Sequence, residues 1–195
     1  QAQLTVNNTL TVEQLVQDYL LGEGVVVSNI TFNGQPGNQV NAMIGGFNGV
    51  NCNVGMNGGI VFCSGDAQGP VGPNDSGGNT EGGGNVDLND VDLETIIGGQ
   101  VNDAAVLEFD FVATGDSIKF NYVFGSDEYL EYVDSFNDVF GFFLSGPGIS
   151  GVYSNNAINI ALIPGTNTPV SINNVNDQDY PQFYNINGDG FTDPY

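Results

Sequence analysis

Residues 124–148, FGSDEYLEYVDSFNDVFGFFLSGPG, crowd the carboxylates of Asp127, Glu128, Glu131, Asp134 and Asp138 between two apolar, strand-like runs. The same stretch carries Tyr129, Tyr132 and Phe136, rings that should pack down on the fold and draw nearby carboxylates toward low dielectric. Carboxylates gathered there repel one another unless a cation sits among them. The chain has one basic residue, Lys119, and no His, so it cannot supply that cation itself. Calcium can, because it takes about six to eight oxygen ligands from carboxylates, amide side chains and carbonyls. Asp127, Glu128, Asp134 and Asp138 are the expected ligands, with Asn137 as a further oxygen donor. The competing reading is a solvated acidic loop with no ion.

A second oxygen-rich pattern lies in NINGDGFTD near the C-terminus. Asn185, Asn187 and Asp189 fall at positions one, three and five of an EF-hand-like loop, Gly190 at six and Asp193 at nine. The Glu expected at position twelve is missing, so the match is partial. Carboxylates also allow glycoside hydrolysis. Asp127 and Glu128 are adjacent, however, and neighbouring residues of an extended segment point to opposite faces, which makes a poor acid–base pair.

Composition narrows the remaining chemistry. A net charge of −22 over 195 residues excludes nucleic acid and anionic membrane surfaces as partners, since both require Lys or Arg. Ser-His-Asp, Cys-His and His-ligated zinc chemistry are excluded by the lack of His. No apolar run reaches the length of a membrane span. The opening QAQLTV is compatible with a mature terminus left by signal cleavage. Cys52 and Cys63 are close enough in sequence to bridge across a turn, which would stabilise by roughly 3 kcal/mol in the chain-entropy picture. Two buried thiols are the alternative.

The elements that must position these groups are mostly strands. One helix is expected over residues 11–21, with Val12, Leu15, Val16, Tyr19 and Leu20 on one face and Thr11 and Gln14 as a capping box. Leu10 can staple to Leu15, and Gly22 is the natural stop. VVVSNITF, GIVFCSG, AAVLEFDFVA, SIKFNYVF, DVFGFFLSG, AINIALI and PVSIN then read as short strands. VFGFFL is apolar throughout and reads as a central strand covered on both faces. Many short strands and 29 Gly predict a mainly β domain, a β-sandwich or jelly-roll-like fold with one N-terminal α-helix. Residues 65–90 form a long Gly/Asn/Pro-rich loop, and no hinge divides residues 1–195, which read as a single domain.

The order of motifs resembles the choice-of-anchor L domain family of bacterial surface proteins. The resemblance is carried by TVEQLVQDYLLGEGVVVSNITFNG, GIVFCSGDAQGPVGPN, DVDLETI, INNVN and above all FNYVFGSDEY followed by FNDVFGFFLSGPG. It spans nearly the whole chain. It implies a secreted or cell-surface β-rich domain, often within substrates of a type IX secretion route. GIVFCSG departs from the family's usual GIV-L-TG, so a Cys52–Cys63 bridge would be particular to this chain. The family domain also implies further strands past Tyr195, so the domain is expected to be incomplete at its C-terminus, with an open sheet edge that another chain could complete by strand addition.

Three functions compete on this evidence. The first is a non-enzymatic extracellular module, an adhesin or a subunit of a fibre or layer, stabilised by Ca2+ and partnered by other surface chains or by itself. The second is a calcium-dependent carbohydrate-binding module in which Tyr129, Tyr132, Tyr180 or Tyr184 stacks on a glycan. The third is a carboxylate-based glycoside hydrolase, which the Asp127–Glu128 adjacency disfavours.

Overall fold

A computed structural model of the chain describes residues 4–22, 24–72, 88–113 and 115–186. The fold is mainly β, as the short strand-like runs predict. The described chain clusters into two compact units. One is drawn from residues 4–72, 88 and 103–123, the other from 89–102 and 124–186.

The first unit opens with β1 (Thr5–Asn7) and α1 (Val12–Leu15). The capping box is formed as expected. Thr11 Oγ1 accepts from the Gln14 N–H at 3.2 Å, and Gln14 Oε1 accepts from the Thr11 N–H at 2.9 Å. The helix then widens into a π turn over Val16–Leu20, closed by Leu21 N–H donating to the Val16 carbonyl at 3.1 Å. That wider turn changes which side chains face inward. Val12, Leu15 and Val16 are buried as predicted, but Tyr19 and Leu20 are 39% and 36% exposed. The stop falls at Leu21, which is extended, so Gly22 is not the cap.

Two antiparallel three-stranded sheets complete this unit. β2 (Val25–Phe32) lies between β3 (Gln35–Pro36) and β6 (Leu107–Ala113). β4 (Ile44–Asn48) lies between β1 and β5 (Gly58–Phe62). The β2–β6 pairing shifts register between Ser28 and Thr31, where Asn29 takes a positive φ of 54° and donates from Nδ2 to Asp110 Oδ2 at 2.6 Å. Val12, Leu15 and Val16 from the helix pack with Ile30 and Phe32 of β2 and Ile44 of β4. Each such side chain, fully buried, stabilises by about 1.5–3 kcal/mol.

The expected Cys52–Cys63 bridge is not formed. Cys63 follows β5, with its N–H donating to the Met43 carbonyl at 3.0 Å. Cys52 sits beyond the other end of the same ladder and donates from Sγ to the Gly49 carbonyl at 3.2 Å. The rungs from Ile44↔Phe62 to Asn48↔Gly58 hold the two cysteines on the order of 15 Å apart. A bridge needs Cα atoms within about 7 Å.

The second unit contains α2 (Val91–Ile97) and four two-residue strands. α2 was not expected from the sequence, although its signals are present. Asp90 caps it by accepting from Asp92 N–H and Leu93 N–H, and Gly98 ends it in the left-handed conformation. β7 (Val139–Phe140) pairs with β10 (Val170–Ser171), and β8 (Phe143–Leu144) pairs with β9 (Ile158–Asn159). VFGFFL is therefore two short strands in two sheets, not one central strand. The break has a local cause: Asn159 Oδ1 accepts from the Phe142 N–H at 3.1 Å and from the Ala161 N–H at 2.9 Å. The Phe143 ring also lies where a Gly141 side chain would be.

SIKFNYVF likewise forms no strand, and Ile118, Tyr122 and Val123 are exposed. Alternation tells which side chains share a face; it does not supply a ladder partner.

Candidate functional site

The acidic loop joins two anchored points of the second unit. Phe124, just before it, packs with Phe140, Ile163, Val170 and Val175. Asp138, at its end, accepts through its backbone carbonyl from Ile172 N–H at 3.1 Å, extending the β7–β10 ladder by one step. Ser126 closes the neck between these ends. Its Oγ donates to Asp138 Oδ2 at 2.7 Å and accepts from the Glu128 N–H at 3.0 Å.

Between those ends the chain runs through successive turns. Tyr129 donates from its hydroxyl to the Val175 carbonyl at 2.6 Å, and its ring lies 5.1 Å from that of Tyr184. Tyr132 packs edge-on against Phe136 at 5.4 Å. Asp134 N–H donates to Asn173 Oδ1 at 2.8 Å, and Asn173 N–H donates to Asn137 Oδ1 at 3.2 Å. The loop is thus laced to the segment after β10 by hydroxyl and amide groups.

The carboxylates crowd at the neck. Burial pushes the Asp127 carboxyl above its ordinary range, and the Asp138 charge pushes it further. Glu128 is raised by burial first, then by Asp138 and Asp127. Tyr129 is pushed up to about 12 by burial, with Tyr184 and Asp138 adding to it, so its hydroxyl stays protonated and keeps donating.

The expected ligands fall into three groups. Asp138 lies near enough to raise both Asp127 and Glu128, and Asp127 adds to the rise at Glu128. Asp134 is exposed, and its backbone is tied to Asn173. Asn137 already accepts a backbone N–H. Among the described residues no three acidic, His or Cys side chains converge on a point that would hold a metal. Of the C-terminal pattern, Asn185 is exposed, while Asn187, Asp189 and Asp193 lie outside the described residues.

Sequence reasoning missed Ser126 and Asn173, two of the residues that fasten the loop. Each is an ordinary polar residue in sequence, and only the folded backbone brings Ser126 beside Asp138, twelve positions on. Of the tyrosines expected to stack on a glycan, Tyr132 packs against Phe136. Tyr180 and Tyr184 pack on the Ile163–Val170–Val175 core, and Tyr129 is bonded to Val175.

A search among curated proteins finds no match, and neither does one among solved structures. The sequence profile of the choice-of-anchor L domain matches residues 5–193, nearly the whole chain, and so takes in both compact units. This is the family to which the motif order pointed: the chain belongs to the choice-of-anchor L domain family.

Proposed function

We propose that this secreted or cell-surface module is non-enzymatic, an adhesin or a subunit of an extracellular fibre or layer, and that its acidic loop is a calcium-responsive clasp. The observation that carries the clasp is the crowding at the loop neck. Asp127 and Glu128 are destabilised as anions by burial and by Asp138, and Lys119 is the chain's only basic residue. A bound cation would remove that repulsion. Because no three carboxylates among the described residues converge beforehand, the ion must gather its ligands as it binds. That favours the weak, about 10⁻⁴–10⁻³ M calcium affinity of extracellular modules.

Asp127 and Glu128 suit hydrolysis poorly, since both respond to the same Asp138 and are pushed in the same direction. A glycosidase needs two carboxyls whose environments push them apart. Partners are other surface chains or a second copy. β6 is an edge strand of its sheet among the described residues, and its free side can accept a strand. Export by a type IX route follows from the same reading.

Thermal unfolding in EDTA, then calcium, then magnesium tests the clasp. Calcium alone should raise the melting temperature by mass action. Equal curves in all three would leave a solvated loop.

A further inference from the structure

The exposed face of the β1–β4 pair carries a second set of groups that the acidic loop does not use. Register places Asn7 opposite Gly46 and Thr5 opposite Asn48, so these four positions share one face. Thr5, Asn7 and Asn48 are exposed there. The Tyr19 ring lies over Gly46, where any Cβ would come within 2.7 Å of it. The ring, carried on the π turn, is nonetheless 39% exposed. Such turns recur at functional sites. Together these residues line an open groove of about 290 Å³, at the small end of ligand-sized clefts.

The groove's polar groups are oriented. Asn48 Oδ1 accepts from the Val50 N–H at 3.1 Å, and Asn7 Oδ1 accepts from the Thr9 N–H and hydroxyl at 3.0 and 2.8 Å. These donors fix which end of each amide is oxygen. Both NH₂ groups are left to donate outward, with no acceptor among the described residues. The outer edge of β1 is partly closed, since Gln68 Nε2 donates to the Val6 carbonyl at 3.1 Å. A peptide strand is therefore a poor occupant.

We infer that this groove binds a neutral saccharide. An exposed aromatic ring offers a face for the apolar side of a sugar ring. Two oriented amide donors and the Thr5 hydroxyl match sugar hydroxyl oxygens. Among the described residues no charged side chain lines the groove, in a chain whose net charge is −22. An acidic sugar is repelled by that charge, and a cationic ligand finds no carboxylate there. The site needs no calcium. It deepens the surface-module reading by naming a ligand class, and rests on that reading only for access to glycans.

The test is amide shift mapping of the ¹⁵N-labelled wild-type chain with neutral hexasaccharides of glucose, mannose and galactose, and with oligogalacturonate as the acidic control. The whole set is run in EDTA and repeated in calcium. The expected result is saturable shifts confined to Thr5, Asn7, Gly46 and Asn48, from at least one neutral sugar and equally in both buffers. Tyr19→Ala and Asn48→Ala should each weaken binding about tenfold. Shifts clustered elsewhere, shifts that require calcium, or no shift from any neutral sugar would overturn the groove. Wild-type mapping decides this even if Tyr19→Ala does not fold. The calcium melting curve, which concerns the other unit, stands or falls separately.

Discussion

The β1–β4 groove and the acidic loop present polar groups to solvent by opposite means. In the groove, a regular ladder sets the spacing, and the exposed groups are uncharged. In the loop, side-chain hydrogen bonds from Ser126, Tyr129 and Asn173 hold turns that carry mutually repelling carboxylates. The groove needs nothing more to keep its shape. The loop keeps its shape against its own charge. The proposed ligand surface thus rests on neutral groups held by a ladder, and the proposed ion response on like charges held by a laced loop.

The sharpest way to break this contrast is to remove the support of the groove. Phe32 is 1% exposed in the core of the unit that carries it, and Phe32→Ala should lower unfolding free energy by about 3–5 kcal/mol in urea titration. On the loop side, Tyr129→Phe deletes the hydroxyl bonded to Val175 O and leaves that carbonyl without it. A loss of about 1–3 kcal/mol is expected by the same titration, and a neutral result would mean that the lacing does not hold the loop.

The pH response should be smaller and should belong to the loop alone. Asp127 and Glu128 are raised above their ordinary values of 3.8 and 4.5 in the folded chain. Between those values and the raised ones the native state binds more protons than the unfolded state. Stability from these groups therefore rises as pH falls from neutral through the raised values, and levels off below the ordinary ones. Asp127→Asn with Glu128→Gln should flatten that part of the melting-temperature profile, and an unchanged slope would place the pH dependence elsewhere. The smallest effect is expected at Ser171, 1% exposed, whose hydroxyl has no hydrogen-bond partner among the described residues. Ser171→Ala should be within about 0.5 kcal/mol of neutral or stabilising, since no hydrogen bond is lost.

How much of this was legible depended on whether the signal was local. The capping box of Thr11 and Gln14, the β2 run and the alternation of LEFDFV are short-range patterns, and each formed as read. VFGFFL misled because its apolar run carries no trace of Asn159, seventeen residues on from the Phe142 whose N–H it takes. SIKFNYVF alternates well but is not a strand in the fold. Tyr19 read as a core residue because a regular 3.6-residue turn was assumed where a π turn forms. The carboxylate loop was legible as a loop, while the residues that fasten it were not. The groove was invisible, because Thr5, Asn7 and Asn48 meet only through strand register. Its one sequence trace is the Gly45-Gly46 pair inside a strand, which marks close approach by another group.

The measurement that tests the central claim most directly is the melting temperature of the wild-type chain, followed by tyrosine fluorescence, in EDTA, in millimolar calcium and in millimolar magnesium. A clasp at Asp127, Glu128 and Asp138 predicts a rise specific to calcium, abolished in Asp127→Asn and Asp138→Asn variants that still fold. Identical wild-type curves in the three buffers would contradict it.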